Sequence, residues 1–103
     1  MKTIQIGDIV IDPERFMVYR NNLPIALTKT EFRILYLMMS TNGKVHSREQ
    51  ISEYVWGKKH IDFPRTIDVH ISNIRKKVGK TNARDVITVL KGVGYKFNDI
   101  GMN

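Results

Sequence analysis

The run EFRILYLMMS at residues 31–40 is apolar on nearly every side of a helix: Phe32, Ile34, Leu35, Tyr36, Leu37, Met38 and Met39 leave little face for water. A helix of this kind is stable only inside a domain, with other layers packed around it. A chain of 103 residues supports one modest core. The sequence on either side must therefore supply a sheet for one flank and helices for the other. Thr28-Lys-Thr-Glu31 starts the helix as a capping box, the Thr28 hydroxyl accepting from the Glu31 amide while the Glu31 carboxylate reaches back. Asn42-Gly43 ends it, and Met38 and Met39 read as packing residues.

The sheet comes first. KTIQI, IVI, FMVY and PIAL are short, rich in branched or aromatic residues, and separated by Gly7-Asp8, Asp12-Pro13 and Asn21-Asn22. That pattern predicts a four-stranded antiparallel meander over residues 1–27, with Pro24 on an edge or at a strand start. Behind the apolar helix, Ser47-Arg-Glu-Gln50 is a second capping box. It opens a short helix with Ile51, Tyr54 and Val55 on one face and Trp56-Gly57 at its close. After the loop GKKHIDF, Pro64 suits the first turn of a third helix. DVITVLKGVGYKF then supplies two strand-like runs about a glycine-bracketed turn, a hairpin. The chain reads as one α+β domain: an N-terminal sheet over 1–27, a three-helix body over 28–80 and a hairpin over 84–98.

The third helix, RTIDVHISNIRKKVGK at 65–80, has two unlike sides. Ile67, Ile71, Ile74 and Val78 recur at helical spacing and form a core stripe. Arg65, Val69, Ser72, Asn73, Lys76 and Lys80 wind to the far side, with Arg75 and Lys77 on the flanks. Net charge follows the same asymmetry: residues 1–57 carry seven Lys/Arg against six Asp/Glu, and residues 58–103 carry ten against four. A basic half points to a polyanion, either nucleic acid or an acidic membrane surface. The membrane reading is disfavoured, because this helix has no bulky apolar residues beyond its core stripe. An ordinary surface helix with one stray apolar residue would look similar. A helix read against duplex DNA accounts for it equally well: basic residues meet phosphates, Asn73 can pair with adenine, and Val69 can meet a thymine methyl.

Other chemistry lacks support. The chain has no cysteine, which fits a reducing cytosol. Its start turns acidic and alternating where a signal peptide would be apolar, and no apolar run reaches the ~20 residues of a membrane span. His46, His60 and His70 have no partners at metal-ligand spacing. No paired acids, Ser-His-Asp order or phosphate-cradling glycine loop stands out, so neither an enzyme nor a cofactor is expected.

L-T-x-x-E-F-x-I-L at 27–35, V-x-S-R-E-Q at 45–50, V-W-G at 55–57, R-T-I-D-V-H-I-S-x-I-R-K-K-V at 65–78 and K-G-V-G-Y-K-F at 91–97 follow in order. Together they resemble the winged helix-turn-helix effector domain of response-regulator transcription factors of the OmpR/PhoB type. The match covers about residues 3–97. The resemblance implies sequence-specific binding to double-stranded DNA in the bacterial cytoplasm, with a recognition helix over 64–79 in the major groove and a wing at Lys91–Gly94 on phosphate or the minor groove. Val69, Ser72 and Asn73 would face bases. Trp56, Arg65, Thr66, His70, Lys76 and Tyr95 would lie against the backbone, and Lys91, Gly92 and Gly94 would form the wing. Lys91 stands where the family often has arginine.

The resemblance further implies tandem half-sites occupied by two copies, a contact with RNA polymerase through Lys58, Lys59 and His60, and no membrane contact by this domain. Family members of two-component systems join the domain to a receiver; no receiver is legible here, so the chain reads as an isolated effector domain, a fragment or a stand-alone protein. The alternative is a basic winged-helix module that binds RNA or RNA polymerase without reading DNA sequence.

Overall fold

Hydroxyl side chains cap the first two helices in the computed structural model, which describes residues 2–57, 64–81 and 84–98. Ahead of them, β1 (Ile4–Ile6), β2 (Ile9–Asp12), β3 (Met17–Arg20) and β4 (Leu23–Ile25) form an antiparallel sheet in that order. Asp12 shapes the β2–β3 turn by accepting from the amides of Glu14 and Arg15 at 3.0 and 3.2 Å. Asn21 and Asn22, both with positive φ (51° and 67°), make the β3–β4 turn, a conformation that asparagine tolerates better than most residues. Pro24 lies in the edge strand β4, opposite Tyr19, where its missing donor costs the sheet little. Ile9, Ile11 and Val18 turn inward and are almost fully buried.

Helix α1 (Lys29–Ser40) begins at the predicted box, with Thr28 N donating to Glu31 Oε1 at 2.9 Å and Glu31 N to Thr28 Oγ1 at 3.2 Å. It packs against α2 (Arg48–Trp56), α3 (Pro64–Val78) and β1, so its apolar surface is covered from several directions. Helix α2 carries the second box, Ser47 with Gln50, and ends where Gly57 takes a left-handed φ of 77°. One detail differs from the expectation. The buried face of α2 is Ile51, Ser52 and Val55, while Tyr54 is exposed. Tyr54 sits roughly 100° around the axis from Val55, and burial centres on the side shared by Ser52 and Val55.

In α3 the stripe Ile67, Ile71, Ile74 and Val78 is buried as predicted, each at most 2% exposed. The helix stops at Val78, where Arg20 donates from Nη1 to the Val78 carbonyl and Gly79 turns with φ 85°. Lys80 consequently leaves the helix and belongs to β5 (Lys80–Thr81), which pairs with β6 (Arg84–Asp85) in a small sheet that the sequence did not disclose. The hairpin of β7 (Ile87–Leu90) and β8 (Gly94–Phe97) follows, with Phe97 and Ile87 in the core.

An ion pair ties the helices together. Glu31 is 1% exposed and accepts from Lys77 Nζ at 2.7 Å, joining the start of α1 to the end of α3. Burial alone would raise the Glu31 pKa; the hydrogen bonds from Lys77 and the Thr28 amide outweigh it and hold the carboxyl below its ordinary 4.5. The residues that cap α1 thereby also set where α3 lies.

Candidate nucleic-acid interface

With the isoleucine stripe anchored, the opposite side of α3 is fixed in space. Val69 is 56% exposed, Ser72 and Lys76 are exposed, and Asn73 is half-buried. With Asp68 they line one shallow, open depression. Arg65 lies in the first turn of the helix. Thr66 and His70 are half-buried. The His70 ring lies 6.2 Å from that of Trp56 at the end of α2, tilted by 47°. Its Nδ1 is shielded and has no hydrogen-bond partner among the described residues.

The basic residues divide into two sets. Arg75 pairs with Asp85, and Lys77 with Glu31. Lys76 makes no ion pair with a described residue and points outward. Net charge therefore overstates what α3 can offer a polyanion: of its last three basic residues, two already hold the fold together. Lys58, Lys59 and His60 lie outside the described residues.

The hairpin projects beside α3. Its tip, Lys91, Gly92 and Val93, is exposed, with Val93 at 60% and Val89 nearby at 48%. A reciprocal pair of backbone bonds attaches its base to the loop before α2: His46 N to Tyr95 O and Tyr95 N to His46 O, both 2.8 Å. Gly94 permits this approach. A Cβ there would collide with the His46 carbonyl and lie 2.9 Å from Ser47 Cα, and the φ of 154° is itself unfavourable for other residues. His46 is buried, its Nε2 2.7 Å from Thr41 Oγ1. Because Thr41 donates its one hydroxyl proton to the Leu37 carbonyl at 2.7 Å, the imidazole is the donor to Thr41, which assigns the proton to Nε2. Burial, assisted by Lys44, pushes the His46 pKa below 6.5.

Tyr95, which the resemblance places near the DNA backbone, has a ring only 5% exposed, and its hydroxyl donates to Asp68 Oδ1. Tyr95 and Phe97 share the buried face of β8, and the tyrosine hydroxyl finds its partner in Asp68, beside the outward face of α3. Burial, then the Asp68 carboxylate, push the phenol up to about 12. Asp68 in turn receives Arg48 in a two-pronged pair, Nε to Oδ1 at 2.8 Å and Nη2 to Oδ2 at 3.0 Å. Sequence reading singled out neither Arg48 nor Asp68, since a pair separated by twenty residues leaves no periodic signal. Between the α2 start, Ile67 and the hairpin lies a cleft of about 370 Å³. Among the described residues, no group of three or more His, Asp or Glu is placed to hold a metal ion, and no helix is long and apolar enough to cross a membrane.

Comparison with known proteins agrees with this geometry. Residues 22–97 match the family model described as transcriptional regulatory protein, C terminal. The chain is 40% identical over 92 residues to the phosphate regulon transcriptional regulatory protein PhoB of Rhizobium meliloti (strain 1021), covering 89% of this chain and 40% of that protein. It thus spans about two fifths of the length of the curated relatives it matches. Among solved structures, the DNA-binding domain of CpxR from E. coli superposes with a TM-score of 0.88 at 34% identity, covering 97% of this chain and 99% of that one. The RstA DNA-binding domain of Klebsiella pneumoniae, solved in complex with the RstA box, superposes with a TM-score of 0.84 at 28% identity, covering 94% and 97%.

Proposed function

Because the chain belongs to the family of transcriptional regulatory protein C-terminal domains, the OmpR/PhoB-type effector domains that its motifs resemble, we propose that it binds double-stranded DNA sequence-specifically and acts as a response-regulator effector. The observation that carries this reading is the outward face of α3, where an exposed Val69 sits among Ser72, Asn73 and Lys76 on a helix anchored by its isoleucine stripe. An apolar side chain among polar ones is matched by a thymine methyl, and an amide by adenine. Lys76 and Lys91 serve phosphates, which position the domain without carrying base identity. Arg65 and Thr66 start the helix where it meets the backbone, Trp56 and His70 flank it, and the hairpin tip Lys91–Gly94 reaches the neighbouring phosphates or minor groove.

The remainder of the reading extends from the relatives. Residues 1–103 act as one winged-helix unit in the cytoplasm, two copies occupy tandem half-sites, and a receiver domain controls them where the chain is joined to one. Lys58, Lys59 and His60 are the candidate contact with RNA polymerase. Selection from a random duplex library tests the core of this reading. A recovered consensus bound in preference to random duplex and to RNA of equal length supports it; equal binding to all of these would favour a non-specific or RNA-directed module.

A further inference from the structure

Asp68 is the one acid in α3, and it lies on the face proposed to meet DNA, beside Val69, Ser72 and Asn73. A carboxylate there is repelled by phosphates. Both of its oxygens are already engaged within the protein: Oδ1 receives Arg48 Nε and the Tyr95 hydroxyl, and Oδ2 receives Arg48 Nη2. DNA contact therefore leaves this residue unexplained, whereas its partners account for it. Arg48 is the first residue of α2, and Tyr95 is the residue of β8 whose backbone is bonded to His46. One carboxylate thus joins the recognition helix, the start of α2 and the base of the hairpin.

We infer that Asp68, held by Arg48 and Tyr95, is a positioning residue that locks the wing to the recognition helix, so that major-groove reading and wing contact occur in one fixed register on the duplex. The inference rests on the DNA-binding reading. Without the link, the wing would still hang from its His46 backbone bonds and from the Arg75–Asp85 pair ahead of β7, but the side-chain tie between its base and the middle of the reading face would be lost. Two contact surfaces on one rigid body bind with a shared entropic cost; loosening their relation loses affinity for the sequence that satisfies both, and little for DNA held by charge alone.

Tyr95→Phe tests this, because it removes one oxygen and leaves the buried ring. On a duplex obtained by selection from a random library, affinity is expected to fall by about threefold to tenfold, the fold-change of one lost hydrogen bond. On a random duplex of the same length it should change by no more than about twofold, since phosphate contacts persist. Hydroxyl-radical footprinting should show weakened protection by the wing with the α3 segment retained. Arg48→Lys, which keeps the charge and loses the two-pronged geometry, should show the same split. Unchanged affinity and footprint for Tyr95→Phe would overturn the inference alone. So would equal losses on both duplexes accompanied by a large fall in melting temperature, the signature of a merely structural bond. A wild-type protein that binds no duplex would overturn the DNA reading and this inference together.

Discussion

Replacing Gly94 by alanine attacks the junction on which the wing depends. The added methyl would overlap the His46 carbonyl, so β8 must move away from the loop before α2. That movement breaks both His46–Tyr95 backbone bonds, each 2.8 Å long and each contributing about 0.5–1.5 kcal/mol net. Holding a non-glycine residue at the observed φ of 154° would add about 1–3 kcal/mol. Combining these effects gives a destabilisation of about 2–6 kcal/mol. For a domain of this size each kcal/mol moves the midpoint by about 4–8 °C, so a fall of at least about 8 °C is expected. Thermal unfolding followed by circular dichroism measures it, and amide exchange at His46 and Tyr95 reports the bonds directly. Gly92→Ala is the control: its φ is 77° but nothing lies within 4 Å of the added methyl, so only about 1 kcal/mol of backbone strain applies. A Gly94→Ala protein that melts within a degree or two of wild type, with both amides still protected, would refute the close approach.

Three other expectations follow from burial, pairing and titration. Ile71→Ala, at 1% exposure, should cost about 2–5 kcal/mol in denaturant unfolding, and Val69→Ala, at 56% exposure, no more than about 0.5 kcal/mol; comparable losses would mean that α3 is phased differently. In a salt titration of duplex affinity, Lys76→Gln should reduce the log–log slope by about 0.9, the value for one phosphate. Arg75→Gln should leave that slope nearly unchanged, because Arg75 is held by Asp85. Because the folded-state pKa of His46 is depressed by burial and Lys44, its contribution to stability is present above its unfolded value, near 6.5, and is lost as pH falls through the folded value; urea unfolding between pH 7.5 and 5 should show that decline, and His46→Gln should flatten it.

Local signals made most of the architecture legible. Thr28-x-x-Glu31 and Ser47-x-x-Gln50 each mark a helix start within a residue, because a capping box is a short-range hydrogen-bond pattern. The isoleucine stripe of α3 and the exposure of Val69 follow from helical period alone. What escaped is what depends on distant partners. The two-residue strands β5 and β6 are too short and polar to show alternation. The Tyr95 hydroxyl is taken by Asp68, and Arg75 and Lys77, on the flanks of α3, are taken by Asp85 and Glu31. Tyr54 is amphipathic, so helical spacing beside Ile51 and Val55 did not decide its exposure. The wing was recognisable from its glycines, but its attachment at His46 was not, since the bridge joins residues that share no local pattern.

The central claim is that the outward face of α3 reads bases, with Asn73 among the readers. The most direct measurement compares wild type and Asn73→Ala on two duplexes, one selected from a random library and one of random sequence, at a single stated salt concentration. Loss of the Asn73 amide should cost about 1–3 kcal/mol on the selected duplex, relax selectivity at one base pair, and leave random-duplex affinity close to wild type. Equal losses on the two duplexes, or none on either, would mean that this face carries no sequence information and would contradict the account.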